Sequence, residues 1–385
     1  MSTTWYFIQP TDSLFVRGNL AFGEAGEHGS SLMPPPPSLF AGALRSAILG
    51  RDQAQLRDFV NHGRSSEPRM DASLGSHTQP GAFRLSWLSL AVNANDHLDA
   101  LLPLPADLLW LGDTDGLATL KPQALPAGVA CSGALPLRAV LNTPREAKPE
   151  GGRYLRLCDL RSHLTGTTSS KLVEALVKAS DLYQRDARLG IGLDTDSGTA
   201  ADGHIYTTEG FAFRHNIGFL VGIKGMTGLL PAQGHLRLGG DGRSAVYRQV
   251  AFNTPQIDTA SIDKTKRFRL ILQTPGLFEG WLPPGVVADG ETYWLRGQGF
   301  SARLVCAAVG RREVVSGWDL HVWAPKKAES AAPAGSVYWF DSFEGNADRL
   351  AAWATNGLRV DTSVPVTQRH AEGWNQALLA HWPHA

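Results

Sequence analysis

The sequence predicts an α+β protein with two antiparallel-sheet domains, and three observations lead to this prediction. Segments rich in β-branched and aromatic residues follow one another between Gly and Pro turns, whereas few segments show helical periodicity. The 385 residues are enough for two or three domains of roughly 150 residues each. The 41 Gly and 23 Pro indicate many loops. We place the domain boundary within 190–215, which gives an N-terminal domain over 1–200 and a C-terminal domain over 201–385.

The first 126 residues predict two strands, one helix and an insertion. The helix begins at Ser38, directly after four prolines, because apolar residues recur at helical spacing from Leu39 to Ile48. Gly50 is a typical helix stop. The strands are Thr4–Gln9 and Phe83–Val92, and a Pro- and Asp-rich insertion follows over Asp96–Pro126.

The remaining chain predicts two more helices and a succession of strands. The first of these helices covers Ser169–Leu182, where four apolar residues would form a stripe, and the second lies around Ala347–Thr355. The predicted strands are His204–Thr208, Ile217–Lys224, His235–Leu238, Ala245–Phe252, Arg267–Gln273, Ser301–Val309, Glu313–Trp323 and Ser336–Phe340.

Charge is unevenly distributed, although 36 Lys and Arg balance 36 Asp and Glu. Residues 211–272 contain nine basic and three acidic residues, whereas residues 85–120 contain five Asp and no Lys or Arg. This asymmetry suits a polyanion on one side and a different partner on the other. We expect the five acidic residues to face solvent or a protein partner, away from any RNA; they are Asp96, Asp99, Asp107, Asp113 and Asp115.

Several classes of protein lack support in the sequence. Cys131, Cys158 and Cys306 are far apart, so neither a zinc site nor a disulfide framework is indicated. There is no Gly-x-Ser-x-Gly motif of a serine hydrolase and no phosphate-binding loop of a nucleotide hydrolase. The N-terminus does not resemble a signal peptide, and no apolar run reaches the ~18 residues of a membrane helix. We therefore expect a soluble, cytoplasmic protein without a metal or other cofactor.

Two local features allow more than one interpretation. Gly239 and Gly240 follow a predicted strand, so this turn either closes a plain hairpin or brings its backbone N–H groups against a phosphate beside Arg243. His28 lies in a Gly-rich loop and is either solvated or a general base toward an RNA 2′-hydroxyl.

Six short motifs occur in an order that resembles a known family. They are Asp12–Arg17, Pro35–Ser38 leading into Ala41–Arg45, Arg188–Asp194, Gly203–Thr208, Leu238–Gly240 with Arg243, and Pro333–Phe340. In this order the chain resembles the third-subunit family of the Cmr complex, the RAMP protein that holds the 5′ handle of the guide RNA (crRNA) in type III-B CRISPR effectors. The segment Glu372–Gln376 departs from the family pattern, because a Gly-rich loop is common near the C-terminus of RAMP proteins and this segment contains a single Gly.

The resemblance implies two ferredoxin-like (RRM-like) antiparallel-sheet domains with long loop insertions. It also implies no nuclease activity, and contacts with the crRNA 5′ handle, the Cas10-type large subunit and the RAMP backbone subunit. Arginines in or beside the motifs would bind phosphates, glycines would allow close approach of RNA, and aromatic rings would stack on bases. The implied RNA-binding residues are Arg17, Arg45, Arg188, Gly190, Gly192, His204, Tyr206, Gly239, Gly240 and Arg243. Phe211 is either a further stacking residue or part of the core, and Arg45 either binds RNA or pairs with an acidic residue of the same protein.

Two other functions remain open on the sequence. One is a metal-independent RAMP endoribonuclease that processes precursor crRNA with a His general base. The other is a glycan- or ligand-binding β-rich module in which some of the 11 Trp form a stacking platform.

Overall fold

The fold is described from a computed structural model. It describes residues 2–16, 28–94, 97–113, 116–143, 148–166, 172–194, 196–226, 228–240, 242–278, 280–319, 321–359 and 366–382. The helices are α1 (Pro37–Leu49), α2 (Gln53–His62), α3 (Pro68–Leu74), α4 (Leu157–Leu164), α5 (Ala179–Leu182), α6 (Thr259–Thr265), α7 (Ala347–Thr355) and α8 (Gln368–Ala371). Among the described residues, no helix is long and apolar enough to cross a membrane.

The strands form two large sheets and several small ones. In the first 250 residues they are β1 (Thr4–Pro10), β2 (His28–Ser30), β3 (Arg84–Ala94), β4 (His97–Pro103), β5 (Leu108–Trp110), β6 (Leu117–Thr119), β7 (Lys121–Gln123), β8 (Arg138–Val140), β9 (Arg153–Arg156), β10 (Leu176–Lys178), β11 (Tyr183–Leu193), β12 (Ala200–Phe213), β13 (Ile217–Lys224), β14 (Gln233–Arg237) and β15 (Ser244–Val250). The later strands are β16 (Phe268–Leu272), β17 (Gly276–Leu277), β18 (Val286–Asp289), β19 (Thr292–Gly297), β20 (Phe300–Ala308), β21 (Glu313–Val315), β22 (Trp318–Asp319), β23 (Ala324–Pro325), β24 (Glu329–Ala332), β25 (Val337–Gly345) and β26 (Ala377–His381).

The first large sheet is built around β1. Its strands lie in the order β10-β9-β4-β3-β13-β1-β15-β14, and all neighbouring pairs are antiparallel. The central four, β3-β13-β1-β15, have the strand order of a ferredoxin-like sheet, with α1 between β1 and β3. In the described residues between β13 and β15, however, the chain forms β14 rather than a second helix.

The second large sheet repeats this arrangement with the other helix. Its order is β18-β19-β20-β25-β16-β26, again antiparallel throughout. The four strands β20-β25-β16-β26 have the same relative order, and α7 connects β25 to β26. Strands β17 to β19 occupy the chain between β16 and β20, where the first helix of a ferredoxin-like domain would lie.

The predicted α+β class with antiparallel sheets is confirmed. Two ferredoxin-like domains stay a prediction, because in the described residues each large sheet has one of the two expected helices. The division into 1–200 and 201–385 also stays a prediction. In the structure, the last strand of the first large sheet ends at Val250, and the first strand of the second large sheet begins at Phe268. Strands β13 to β15 pair within the sheet of β1, although they follow residue 200.

The helix predicted over Ser169–Leu182 is wrong for the residues that the structure describes. Leu176–Lys178 forms strand β10 against β9, and only Ala179–Leu182 is helical. Pairing of Leu176 and Val177 with β9 overrides the helical spacing of the stripe, and Val173 is 41% exposed. By contrast, the helices predicted from Ser38 and over Ala347–Thr355 are confirmed.

The two sheets share a core that includes a buried cluster of charged and polar groups. Arg269 of β16 donates hydrogen bonds to the carboxylate of Asp107 and to the carbonyl of His163 in α4. The Nε2 atom of His163 lies 3.1 Å from both carboxylate oxygens of Asp107. All three residues are at most 5% exposed. The cluster therefore links the second large sheet to two parts of the chain that precede it, the insertion and helix α4.

The position of Asp107 corrects the expectation that the acidic stretch faces solvent or a partner protein. Burial favours the neutral carboxyl group, but the charges and hydrogen bonds of His163 and Arg269 outweigh burial and lower the pKa of Asp107. Of the other four, Asp113 is exposed and Asp99 is half-buried near the Cys158 thiol. Asp96 and Asp115 lie outside the described residues.

Replacing Arg269 with Met should lower the free energy of unfolding by about 3–5 kcal/mol, because Asp107 would remain buried without one of its two charged partners. Urea unfolding monitored by circular dichroism measures this change. The matched control is Arg296→Met, since Arg296 pairs with Asp289 at 2.6 Å but its side chain is 60% exposed. Breaking that surface pair should cost about 1 kcal/mol or less. Equal losses in the two variants would contradict the role given to Arg269.

Candidate functional site

A long hairpin made of β11 and β12 brings several of the predicted site residues together. The strands pair along nearly their whole length, and β2 adds a short parallel strand beside β12. At the tip, the carboxylate of Asp194 accepts hydrogen bonds from the backbone N–H groups of Ser197 and Asp196. These bonds lower the pKa of Asp194 and close the turn.

The base of the hairpin is attached to the segment that follows β1. Leu14 and Phe211 exchange backbone hydrogen bonds of 2.8 and 2.9 Å. A Cβ atom added at Gly210 would lie 2.5 Å from the Ser13 hydroxyl, so only glycine permits this close approach. Phe211 is 5% exposed and packs edge-on against Tyr183, so the stacking role predicted for Phe211 is wrong.

Arg188 and Arg243, which the sequence assigns to phosphates, both lie beside the Asp12–Ser13 segment. Arg188 forms ion pairs with Asp186 at 2.8 Å and with Asp12 at 3.1 Å. Arg243 donates a hydrogen bond to the carbonyl of Ser13. Hydrogen bonds from the Ser13 N–H and from Arg188 lower the pKa of Asp12, and the charge of Arg243 adds to the effect. Any phosphate bound here would compete with these carboxylates.

The glycines of the hairpin allow close packing within the hairpin itself. Gly190 lies opposite Tyr206, and a Cβ atom at Gly190 would be 2.4 Å from the ring carbon that bears the hydroxyl. The aromatic ring therefore covers the glycine backbone. Gly192 lies where the strand register shifts, which indicates a β-bulge. His204 belongs to β12, but its side chain is outside the described part of the structure.

The opposite face of the hairpin is apolar and exposed, which the sequence analysis missed. Leu189 and Ile191 alternate with Gly190 along β11, and Ile205 lies directly opposite Ile191. The exposed fractions are 73% for Leu189, 52% for Ile191 and 56% for Ile205, and Leu193 near the tip is 61% exposed. Contiguous exposed aliphatic side chains of this kind are typical of a binding surface.

The glycine turn at residues 239–240 lies against the backbone of Phe15 and forms a hydrogen bond with it. The N–H group of Gly240 donates to the carbonyl of Phe15 at 2.8 Å. Gly239 has a φ of +87°, and a Cβ atom there would lie 2.6 Å from the same carbonyl oxygen. The Gly240 amide that the sequence offered to a phosphate is therefore already occupied, which corrects the role assigned to it.

Arg45 also differs from its predicted role. Its guanidinium donates to the carbonyl of Leu74 at 2.9 Å and to the side chain of Gln368 at 3.2 Å. Burial lowers the pKa of Arg45. Arg45 thus connects α1 with the end of α3 and with α8 through two hydrogen bonds of its guanidinium group. Arg17 lies outside the described residues.

Comparison with protein families identifies the chain. The model of the family described as CRISPR-associated protein (Cas_Cmr3) matches residues 6–382. The chain belongs to this family. It is therefore a Cmr3-family subunit of the type III-B CRISPR effector complex. Comparison with curated proteins gives no match.

Solved structures of CRISPR complexes are similar to this Cas_Cmr3 family chain. A cryo-EM structure of type III-B Cmr-beta bound to cognate target RNA gives a TM-score of 0.47 at 14% identity, covering 87% of this chain and 86% of that chain. A crystal structure of the Csm3-Csm4 subcomplex of the type III-A interference complex gives 0.38 at 12% identity, covering 99% and 100%. These likenesses are too distant to support an argument about function.

The close approach of Gly239 to Phe15 predicts a difference between two glycine substitutions. Gly239→Ala combines positive φ with a clash against backbone, so we expect a loss of about 2–4 kcal/mol in the free energy of unfolding. The control is Gly242→Ala, because Gly242 has a φ of +65° but a Cβ atom there would meet nothing within 4 Å. It should cost only about 1 kcal/mol. Thermal unfolding compares them, and equal losses would refute a backbone-holding role for Gly239.

Proposed function

We propose that this Cmr3-family subunit holds the 5′ handle of the crRNA in the cytoplasmic type III-B effector complex and does not itself cut RNA. In the same proposal it contacts the Cas10-type large subunit and the RAMP backbone subunit. Family membership supports the complex, and the hairpin supports the contact with RNA. Among the described residues, no group of three or more His, Cys, Asp or Glu side chains is arranged to hold a metal ion.

The observation that carries the proposal is the exposed aliphatic face of the hairpin, which also presents the side chain of Arg185. Leu189, Ile191 and Ile205 present branched apolar groups that can insert beside or between bases. The side chain of Arg185, near the base of β11, is 71% exposed and pairs with Glu209. An apolar surface with the Arg185 guanidinium on the same face suits single-stranded RNA, whose bases are apolar on their faces and whose backbone is anionic.

The ion pairs of Arg188 suggest how RNA is accommodated. Arg188 is 46% exposed and is held by Asp12 and Asp186, so its orientation is fixed before RNA arrives. A phosphate can then replace one carboxylate as the partner of the guanidinium, which binds both groups in similar geometry. Asp12 would in this way orient Arg188 while opposing the approach of the phosphate.

Removing the apolar face should weaken RNA binding. For the double variant Leu189→Ser and Ile191→Ser we expect at least tenfold lower affinity for a crRNA handle oligonucleotide, corresponding to about 1.4 kcal/mol or more of lost apolar contact. Fluorescence anisotropy with a labelled oligonucleotide measures the dissociation constant. The matched control is Val287→Ser with Val314→Ser, since these strand valines are 46% and 54% exposed elsewhere.

Three results would count against the proposal. Equal affinity of the hairpin and control variants would exclude the apolar face as an RNA contact. RNA binding that does not weaken as the salt concentration rises would contradict a contribution from phosphates. For single-stranded RNA, a plot of the logarithm of the binding constant against the logarithm of the salt concentration should have a slope of about −0.7 per neutralised phosphate. Cleavage of labelled precursor RNA by the purified chain in EDTA would identify a metal-independent ribonuclease instead.

Replacing Asp12 with Asn should strengthen RNA binding about twofold to fivefold, because one carboxylate that opposes the phosphate would be neutral. The RNA affinity should also fall more steeply with salt concentration, because Arg188 would have one carboxylate partner fewer to offset its charge. Asp289→Asn is the matched control, because it releases Arg296 from a similarly exposed pair outside the hairpin. Unchanged affinity and slope in the Asp12 variant would place Arg188 outside the RNA contact.

A further inference from the structure

A cleft of about 430 Å³ lies between the two halves of the chain, separate from the hairpin. One wall is formed by the start of β3 and the end of β13, where Arg84, Ser86 and Lys224 lie. The facing wall is formed by the turn before β20, by α7 and by α8. The volume falls within the range typical of small-ligand sites, about 300–1,000 Å³.

The lining of this cleft is strongly basic. None of the described lining residues is acidic. Three arginines, one lysine and one histidine line the cleft: Arg84, Arg349, Arg359, Lys224 and His370. Arg84 and Lys224 are direct partners across the antiparallel pair β3–β13, so two positive charges face each other. Like charges in this position destabilise a sheet.

The hydrogen bonds of Arg84 and Arg349 to described residues are made to uncharged carbonyl groups. Arg84 donates to the carbonyls of Gly81 and Phe83, and Arg349 donates to the carbonyl of Gln298. Neither arginine pairs with a carboxylate among the described residues, and Lys224 forms no ion pair with any of them. Within the described part of the chain, therefore, no carboxylate offsets the repulsion between Arg84 and Lys224.

Two aromatic rings of the cleft contain nitrogen atoms without partners. The indole Nε1 of Trp353 and the imidazole Nε2 of His370 are buried and have no hydrogen-bond partner among the residues that the structure describes. Trp353 is 8% exposed, and an indole N–H can only donate. The other imidazole nitrogen of His370 lies 3.0 Å from the Thr367 hydroxyl, so Nε2 is a donor when Nδ1 accepts from Thr367. A buried donor left without an acceptor is costly.

We propose that this cleft binds the phosphate group of a nucleotide-sized ligand. The basic groups call for an anion with several acceptor oxygens. A phosphate would relieve the repulsion between Arg84 and Lys224. The site goes beyond the proposed RNA contact of the hairpin, with which it shares none of its lining residues.

The electrostatics of His370 agree with the geometry. Burial, together with the charges of Arg359 and Arg84, lowers the pKa of His370 below its usual value of 6.5. The charge of Arg359 also lowers the pKa of Arg84, after the larger effect of burial. Positive groups that lower the pKa values of Arg84 and His370 indicate a local excess of positive charge, which a bound anion would offset.

Isothermal titration calorimetry of the purified full-length chain tests the proposal with three probes. AMP has a phosphomonoester, a trinucleotide RNA without terminal phosphates has only phosphodiesters, and adenosine has no phosphate. We expect AMP or the trinucleotide to bind and adenosine not to bind. Stronger binding of AMP identifies a free nucleotide as the ligand type, whereas stronger binding of the trinucleotide identifies an RNA backbone phosphate.

Matched variants assign the binding to the cleft. Lys224→Gln and, separately, Arg349→Gln should each weaken binding of the preferred probe at least fivefold, while Lys264→Gln removes an exposed charge elsewhere and should leave it unchanged. The melting temperature of each cleft variant shows whether it is folded. If one of the two variants does not fold, the other still tests the proposal.

The proposal is overturned if no phosphate-bearing probe binds at millimolar concentration. It is also overturned if adenosine binds as well as AMP, or if folded cleft variants bind like the control. The hairpin variant Leu189→Ser with Ile191→Ser should bind the trinucleotide or AMP normally in the cleft, so failure of one proposal is distinguishable from failure of the other.

Discussion

The joining of the two sheets depends on Arg269 and the side chains that alternate around it in β16. Phe268, Leu270 and Leu272 point into the core of the second half, whereas Arg269 and Ile271 face the first half. The guanidinium there meets Asp107 from the insertion, and it contacts His163 from α4. A buried arginine needs such partners, and each partner is held by a different element. The relative position of the sheets, and hence the cleft between them, follows from this arrangement.

The elements that the sequence predicts well are those whose partners are implied by their own pattern. Ile217–Lys224 is an apolar run buried between two neighbouring strands, and Ala347–Thr355 has an Asn cap whose side chain accepts from the Arg349 N–H. The failures come from partners distant in sequence. Leu176–Lys178 becomes a strand because β9 lies beside it, and Asp107 is buried because Arg269, more than 150 residues later, reaches it. Local periodicity contains no information about either partner.

The candidate sites show the same limit. Arg188, Gly190 and Tyr206 could be predicted to lie near one another, because two motifs about 20 residues apart form the two strands of one hairpin. The apolar face was also detectable, since Leu189 and Ile191 alternate with glycines, but nothing in the sequence indicated that they would be exposed. The cleft could not be predicted, because its residues come from segments between 84 and 376. Only the packing of the two halves brings their charges together.

Net charge could not have separated the two cationic regions, because the chain is neutral overall. The hairpin and the cleft differ in whether carboxylates lie beside their basic side chains. At the hairpin, Asp12 and Asp186 already hold Arg188, so a phosphate exchanges one ion pair for another and gains little. In the cleft, Arg84 and Lys224 have no described carboxylate beside them, so an anion removes repulsion as well as gaining attraction. Binding at the hairpin should therefore depend mainly on apolar contact, and binding in the cleft mainly on charge.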